Sequence, residues 1–432
     1  MVFLMIKHTK SYYAATQNTA IEYPVLKGSQ QADVCIVGAG FSGVSAALHL
    51  VERGYSVAII EAQRVGWGAS GRNGGQWAGF YSPDMAVVEK LVGQEQAQQL
   101  WAMNEESKAI IKERVNSYKI DCDYKATGLF MAAYNKTHLQ FMQDKIAEAQ
   151  RYNYPHLQAV SQQQVADYAD CSQYVGGLFD ADAGHVHPLN LVCGQAKAAS
   201  DLGAAIYQGS EVIAIEYGKQ PVVKTAQGQV QAKYVIVCGN GYLAQGKAAP
   251  AISRKILPVT SYILATEPLP EEVHRKLLPK DCSAFDYRYL LDYYRLSADK
   301  RLLFGGGTRY SGKDPSDIVA WRLPKLLKTF PQLKPFKIDY AWGGTMGFTY
   351  NRMPAIGRVQ DNVFYAQGYS GHGVALTHLG GRLVAEAVAG TAERFDVFNR
   401  IKHMPFPGGK LLRVPMLFMG ANYYSIRDAL RN

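Results

Sequence analysis

"DVCIVGAGFSGVSAALHLVERGYSVAIIE", residues Asp33–Glu61, decides the fold. Asp33–Val37 is a short run rich in valine and isoleucine, the pattern of a strand buried on both faces. Gly38-Ala39-Gly40-Phe41-Ser42-Gly43 follows at once. Val44, Ala47, Leu48 and Val51 then recur at helical spacing, and Tyr55–Ile60 reads as a second buried strand. In this setting Gly38 permits a tight strand-to-helix turn, Gly40 lets backbone approach a pyrophosphate, and Gly43 lets the helix pack close on the strand. The first helical turn points N–H groups and the positive end of the helix dipole at the phosphates. Glu61 closes the second strand where a carboxylate accepts from ribose hydroxyls, and Ala62, Gln63 and Arg64 continue that rim. An arginine in place of the acid would have suited a 2′-phosphate. The stretch predicts a bound ADP group, which NAD and FAD share.

Three later stretches choose between them. Trp67–Gln76, "WGASGRNGGQ", is too glycine-rich to be a packed element, and it sets Gly68, Ala69, Ser70, Arg72, Asn73, Gly74, Gly75 and Gln76 directly after the second strand. Tyr234–Gly241, "YVIVCGNG", is a buried strand ending in Cys238, Gly239 and Asn240, after a hairpin-like pair, "EVIAIEY" and "PVVKTAQGQVQA". Gly368–Gly381, "GYSGHGVALTHLGG", places Gly371, His372, Gly373 and Val374 at the start of an Ala/Leu helix that "RLVAEAVAG" continues. A helix N-terminus aimed at a flavin pyrimidine carbonyl stabilises the charge that the ring gains on reduction. A nicotinamide has no use for this third site, so FAD is the expected cofactor.

The bulk properties are those of a globular enzyme. At 432 residues the chain exceeds one compact core, and 48% apolar with 19% charged residues is ordinary. "MVFLMIKHTK" has too short an apolar start, and no basic region ahead of it, for a secretory signal. No stretch reaches the ~18 apolar residues of a spanning helix. A cytoplasmic location without a membrane span is the expectation. Cys35, Cys122, Cys171, Cys193, Cys238 and Cys282 form no C-x-x-C pair, as suits a reducing compartment. The net charge of +10 is spread without a basic run, which disfavours a nucleic-acid partner and would serve an acidic small substrate as well. His185 and His187 lack a third ligand at suitable spacing, so no metal is expected.

With these motifs assembled, the chain resembles the amine and D-amino-acid oxidase family of flavoproteins. The likeness runs nearly end to end and includes "SYYAA", "GASGRNGGQ", "GHVHPLNL", "YLLDYYRL", "GYSGHGV" and "PFPGGKLLRVP". It implies an α/β fold: a Rossmann-like FAD-binding domain with a second, substrate domain of antiparallel sheet plus helices. The implied FAD segments are 28–95, 155–250 and 345–400, the substrate segments 96–154 and 251–344, with a C-terminal arm at 401–432. "WGASGRNGGQ" would run along the pyrophosphate to the isoalloxazine, and Val212 would offer backbone groups to the adenine.

The implied reaction is oxidation of a small-molecule amine, with molecular oxygen as acceptor and FAD held non-covalently. An alkylamine must shed a proton first, which an aromatic pocket favours. Amino-acid oxidases of the family place a carboxylate-clamping arginine in the strand before "PAIGR". Here an ungapped alignment gives Met346, with Arg352 nearby, which disfavours an α-amino acid and fits an amine whose carboxylate is distant. Nothing after Cys282 can form the thioether link to FAD seen in sarcosine oxidases. Those enzymes also activate oxygen with a roof-strand lysine, whereas "RLLFGGGT" offers Leu303. His372 is the first candidate for a polar group at the flavin, or caps its own helix. Tyr293 and Arg295 share one strand face, Asp292 and Tyr294 the other; Arg295 would suit the distant carboxylate or a salt bridge. Tyr262 is a further candidate on another roof strand. Two alternatives stay open: electron transfer to a membrane quinone through the basic and apolar C-terminal segment, and a tRNA-modifying role.

Overall fold

Val34, Cys35 and Ile36 are fully buried because their strand lies at the centre of a sheet. Gly28–Val37 pairs in parallel with Gly228–Val237 on one side and with Val57–Ile60 on the other. Ala205–Tyr207 extends the sheet beyond Val57–Ile60, and Val363–Gln367 and Ala355–Gln360 extend it at the opposite edge. The computed structural model describes residues 7–243, 248–288, 290–308 and 314–406. The first six residues, and the basic and apolar segment from Lys410 onward, lie outside these. Among the described residues no helix is long and apolar enough to cross a membrane.

One face of this base sheet packs on the helices Phe41–Val51 and Gly373–Val388, which cross so closely that a Cβ on Gly381 would lie 2.6 Å from the Ala46 amide. The other face meets the hairpin Val212–Glu216 and Val222–Thr225, which lies in the hairpin-like pair of runs and also pairs with Gly228–Val237. Glu95–Val115 and His138–Tyr152 carry helical periodicity in the sequence, and the helices are observed as Gln94–Ser117 and Lys136–Arg151.

The second sheet forms a roof. Its order is Ile338–Phe348, Leu257–Thr266, Leu302–Thr308, Asp292–Leu296, Ser283–Asp286, Leu129–Ala133, Gly176–Asp180 and Leu157–Val160. Leu157–Val160 and Gly176–Asp180 were expected with the FAD-binding segment 155–250, yet they close the roof beside Leu129–Ala133. Short apolar runs show that a strand exists; which sheet it joins depends on partners far along the chain. Ile338–Phe348 likewise runs through the expected boundary at 344/345. The run "YLLDYYRLS" alternates as a strand does; the observed strand is Asp292–Leu296, and ahead of it the buried Asp286 carboxylate accepts from the Arg288 and Asp292 amides, with Tyr289 outside the described residues.

The roof's outer face, with Leu264, Phe304 and Tyr294, packs on the helix Ile318–Thr329. Its inner face meets the base, and Ile263, Ala265, Leu303 and Trp342 join the base core. The site lies at this junction.

Candidate active site

The cradle starts where the central strand ends. Gly38 has φ +104°, a conformation that residues with a Cβ rarely adopt, and its N–H donates to Ile60 O at 2.8 Å. A Cβ on Gly43 would fall inside the carbonyl of Gly38, so only glycine allows the helix Phe41–Val51 to sit this close to the strand. Gly40 is the N-cap and has no side chain of its own to cap this helix. The Ser70 hydroxyl accepts from the Phe41 amide at 2.9 Å, and the Ser42 hydroxyl meets the Tyr369 hydroxyl at 2.7 Å. The second contact brings the start of this helix beside the segment Tyr369–Val374. Glu61 Oε2 accepts from the Ala39 amide at 2.8 Å and Oε1 from the Gln63 amide at 2.9 Å. Burial pushes the Glu61 carboxyl up, and these two amides draw it back. Each carboxylate oxygen keeps a lone pair for a hydroxyl donor.

Other predicted rim residues take supporting places. Ala62 adjoins Glu61, Arg64 O accepts from the Trp67 amide at 3.0 Å, and Cys238 N donates to Val37 O at 2.8 Å, with Gly239 next in chain. Val212 opens its hairpin two residues after Ser210, whose amide donates to Glu61 O. Asn240 Oδ1 accepts from the Gly368 amide at 3.0 Å, tying the second motif to the third.

The glycine-rich loop passes beneath the roof and is stitched to it at three points. Trp342 Nε1 donates to Arg72 O at 3.1 Å, Arg295 Nε to Gly74 O at 2.6 Å, and Gln76 Nε2 to Ala284 O at 3.0 Å. Asn73 braces the loop internally: its Nδ2 donates to Ala69 O and Ser70 O, and its Oδ1 accepts from the Gly75 amide. Gln76 and Asn73 are thus occupied by the protein. Gly68 precedes the short 3-10 turn Ala69–Gly71.

Strand register sets what the roof presents to this loop. Trp342 pairs with Ile263, Ile263 with Gly305, Gly305 with Tyr293, Tyr293 with Phe285, Phe285 with Met131, and Met131 with Leu178. Directly paired residues share a sheet face, so these seven form one mainly apolar row with three aromatic members, Trp342, Tyr293 and Phe285. The Tyr293 ring fills the space that a side chain on Gly305 would occupy, and its hydroxyl meets Ser261 Oγ at 3.2 Å. It also lies 2.8 Å from where a Cβ of Gly74 would be. Burial raises the Tyr293 phenol to about 12, so it stays protonated. Of the two faces of Asp292–Leu296, the one with Tyr293 and Arg295 looks at the loop. Asp292 and Tyr294 face outward, Asp292 bonding Arg288 and Arg322, Tyr294 donating to Tyr174.

Two predicted catalytic residues lie elsewhere than expected. Tyr262 is on the opposite face from Ile263; its hydroxyl donates to Asp314 Oδ1 at 2.7 Å and its ring packs edge-on against Trp321. Arg295 is buried and committed: besides Gly74 O it donates to Val186 O, Leu296 O and the Tyr13 hydroxyl. Those bonds leave it no place for a substrate carboxylate. Composition gives no hint of this, because the partners are backbone carbonyls and a residue nearly 300 positions away. His185 and His187 serve the scaffold: His185 Nε2 bonds Asp281 O, and His187 Nδ1 accepts from the Asn190 amide as a helix cap.

His372 is the N-cap of Gly373–Val388, but its side chain makes no capping bond. Burial, then the charges of Lys145 and Arg352, lower its imidazole to about 4, so it is neutral at physiological pH. Gly371 has φ +98°, and Val374 is buried in the first helical turn. Leu303 sits on the inner face, paired with Arg295 and Ala265. Met346 pairs with Val259 on the strand before Ala355.

These residues fit an FAD group. The helix starts on a glycine N-cap with no side chain over it but the Ser70 hydroxyl at the Phe41 amide, the Glu61 carboxylate retains acceptor capacity, and two buried groups, Arg72 Nη2 and the Tyr242 hydroxyl, have no hydrogen-bond partner among the described residues. Buried polar atoms are rarely left so, and both lie where the glycine loop meets the second motif. Arg72 otherwise donates to Trp67 O and stacks on the Trp67 ring, which in turn packs on Tyr242. Sequence reasoning missed Tyr13, Ser261, Phe285 and Trp342. Only the adjacent tyrosines of "SYYAA" offered a signal, through the family likeness.

Residues 33–387 match the FAD dependent oxidoreductase family. The chain is 48% identical over 426 residues to gamma-glutamylputrescine oxidoreductase of Escherichia coli (strain K12), covering 99% of this chain and all of that protein. It is 40% identical to the probable oxidoreductase OrdL of Haemophilus influenzae, covering 99% of each. Among solved structures, glycine oxidase from Geobacillus kaustophilus superimposes with a TM-score of 0.73 at 22% identity, over 87% of this chain and all of that one, a likeness of fold.

Proposed function

Since the chain belongs to the FAD-dependent oxidoreductase family, we propose that it oxidises the terminal primary amine of gamma-glutamylputrescine. The observation that carries this reading is the 48% identity to the enzyme named for that substrate, which extends through segments outside the family match at both ends. The products are gamma-glutamyl-aminobutyraldehyde and ammonia. With dioxygen as electron acceptor, one amine, one water and one O2 give one aldehyde, one ammonia and one H2O2. In this reading the protein works in the cytoplasm, with the base as its FAD-binding domain and the roof as its substrate domain.

FAD, when bound, would supply the acceptor for one hydride equivalent, two electrons with a proton, from the carbon beside nitrogen. The chain supplies the rest. The N-terminus of Phe41–Val51 would hold the pyrophosphate and Glu61 the ribose. The row from Trp342 to Phe285 excludes water from the reacting end. A primary alkylammonium has a pKa of ~10.4, so its deprotonation at pH 7 costs roughly 4–5 kcal/mol. Apolar surroundings reduce that cost. His372, with a pKa of about 4, is too weak a base to hold this proton, so the proton leaves to solvent and the imidazole orients the neutral amine. Met346, in place of a clamping arginine, agrees with a substrate that has no carboxylate near the reacting carbon.

Mixing the flavoprotein anaerobically with gamma-glutamylputrescine, putrescine, sarcosine, glycine or D-alanine tests this. The glutamylated amine should bleach the flavin fastest; bleaching by an amino acid and not by that amine overturns the reading. Leu303 on the inner face favours a second reading of the acceptor alone, with electrons passing to a quinone. One peroxide per aldehyde under air excludes it.

A further inference from the structure

The N-terminal residues 7–26 precede the segment that matches the family, yet they reach its centre. Ser11 caps the single turn Tyr12–Ala15 by accepting from the Ala14 amide at 3.1 Å, and both tyrosines are buried. Tyr13 packs edge-on against Trp342, with centroids 5.3 Å apart, and against His187 at 4.9 Å. Its hydroxyl accepts from Arg295 Nη2 at 3.1 Å. The same Nη2 donates to Val186 O at 2.8 Å, and Nε donates to Gly74 O at 2.6 Å.

Arg295 is 3% exposed, and none of its hydrogen-bond partners among the described residues is a carboxylate. A buried guanidinium normally has an anionic partner. Here every hydrogen bond that the cation makes goes to a neutral acceptor, with the Asp123 carboxyl near enough to feel its charge, so each acceptor matters more than in a directly paired ion. The neighbouring histidines respond to this charge: burial first, then Arg295, lowers His185 and His187 to about 3. The guanidinium grips the Gly74 carbonyl directly beneath Tyr293, in the loop whose residues fit the cofactor.

We propose that Tyr13 is a positioning residue for the flavin site. Acting through Arg295, it fixes the Gly74–Gly75 turn and the buried positive charge above it, an element that the matched family segment does not itself contain. The proposal rests on FAD use and not on the identity of the amine.

Tyr13→Phe keeps the ring and removes one acceptor from the buried cation. In this variant the FAD dissociation constant should rise about tenfold, equivalent to about 1.4 kcal/mol. The visible flavin band should shift and the flavin midpoint potential should fall. Tyr12→Phe is the control, since Tyr12 donates to Asp299 on a neighbouring turn and not to Arg295. An unchanged dissociation constant, spectrum and potential in Tyr13→Phe, or equal changes in both variants, overturns the proposal. Hydrogen exchange of the unaltered protein tests it even if the variant does not fold. Adding FAD to apoprotein should protect residues 11–16 and 73–76 together, and indifference of 11–16 overturns it. None of these readouts uses substrate, so they stand apart from the outcome of the amine panel.

Discussion

The cradle and the roof hold opposite sides of one site with different materials. In the cradle, Gly38, Gly43 and Glu61 lie within a single strand–helix–strand unit and act through backbone geometry and one carboxylate. In the roof, the row on the inner face takes one residue from each of seven strands, with Gly305 making room for the Tyr293 ring. The cradle is therefore a local device, whose parts tolerate little change because backbone must meet backbone. The roof is a register device, whose parts can vary as long as the strands stay aligned. One side binds what the family shares, and the other can be altered to suit a substrate.

The largest expected effect falls on the cradle. Gly43→Val puts side-chain atoms into the Gly38 carbonyl, with no flexible neighbour to yield. It should cost about 3 kcal/mol or more and leave the protein colourless, measured as flavin absorbance per chain beside the melting temperature. A yellow, stable variant would mean that the helix can move off the strand.

Gly305→Ala should show the roof behaving differently. The new methyl collides with the Tyr293 ring, so kcat/KM should fall on the order of 100-fold while FAD stays bound. Loss of FAD to the same extent as in the Gly43 variant would erase the distinction between the two regions.

Acid should act on the junction between them. His185 and His187 have folded pKa values near 3, against an ordinary 6.5. Between those values the unfolded chain binds more protons, so stability present above pH 6.5 is lost as pH falls, by on the order of a few kcal/mol in all by pH 4. A melting temperature that stays flat from pH 7 to 4 contradicts this.

Glu61→Gln keeps one acceptor and loses the charge, so FAD should bind about tenfold more weakly, by titration of apoprotein. The smallest effect belongs to Tyr262→Phe, on the roof's outer face. Its kcat/KM should change less than about threefold, within the range of one hydrogen bond at a distance from the site. A loss near 100-fold would turn Tyr262 towards the substrate.

The same contrast explains what could be read in advance. A strand, a glycine turn, a helix and an acid are contiguous, and each residue type follows from one steric or electrostatic demand, so the sequence by itself determined the dinucleotide cradle. Alternating runs likewise announced three of the eight roof strands, Leu257–Thr266, Asp292–Leu296 and Leu302–Thr308. Only the tertiary structure decided that Leu157–Val160 and Gly176–Asp180 join the roof, that Tyr262 faces outward, and that Arg295 is a rivet shared with Tyr13. Alternation leaves register and partner open, and a one-residue slip exchanges the two faces of a strand. Long-range pairing resolves that choice, and a guanidinium's role depends on acceptors that only the folded chain brings to it.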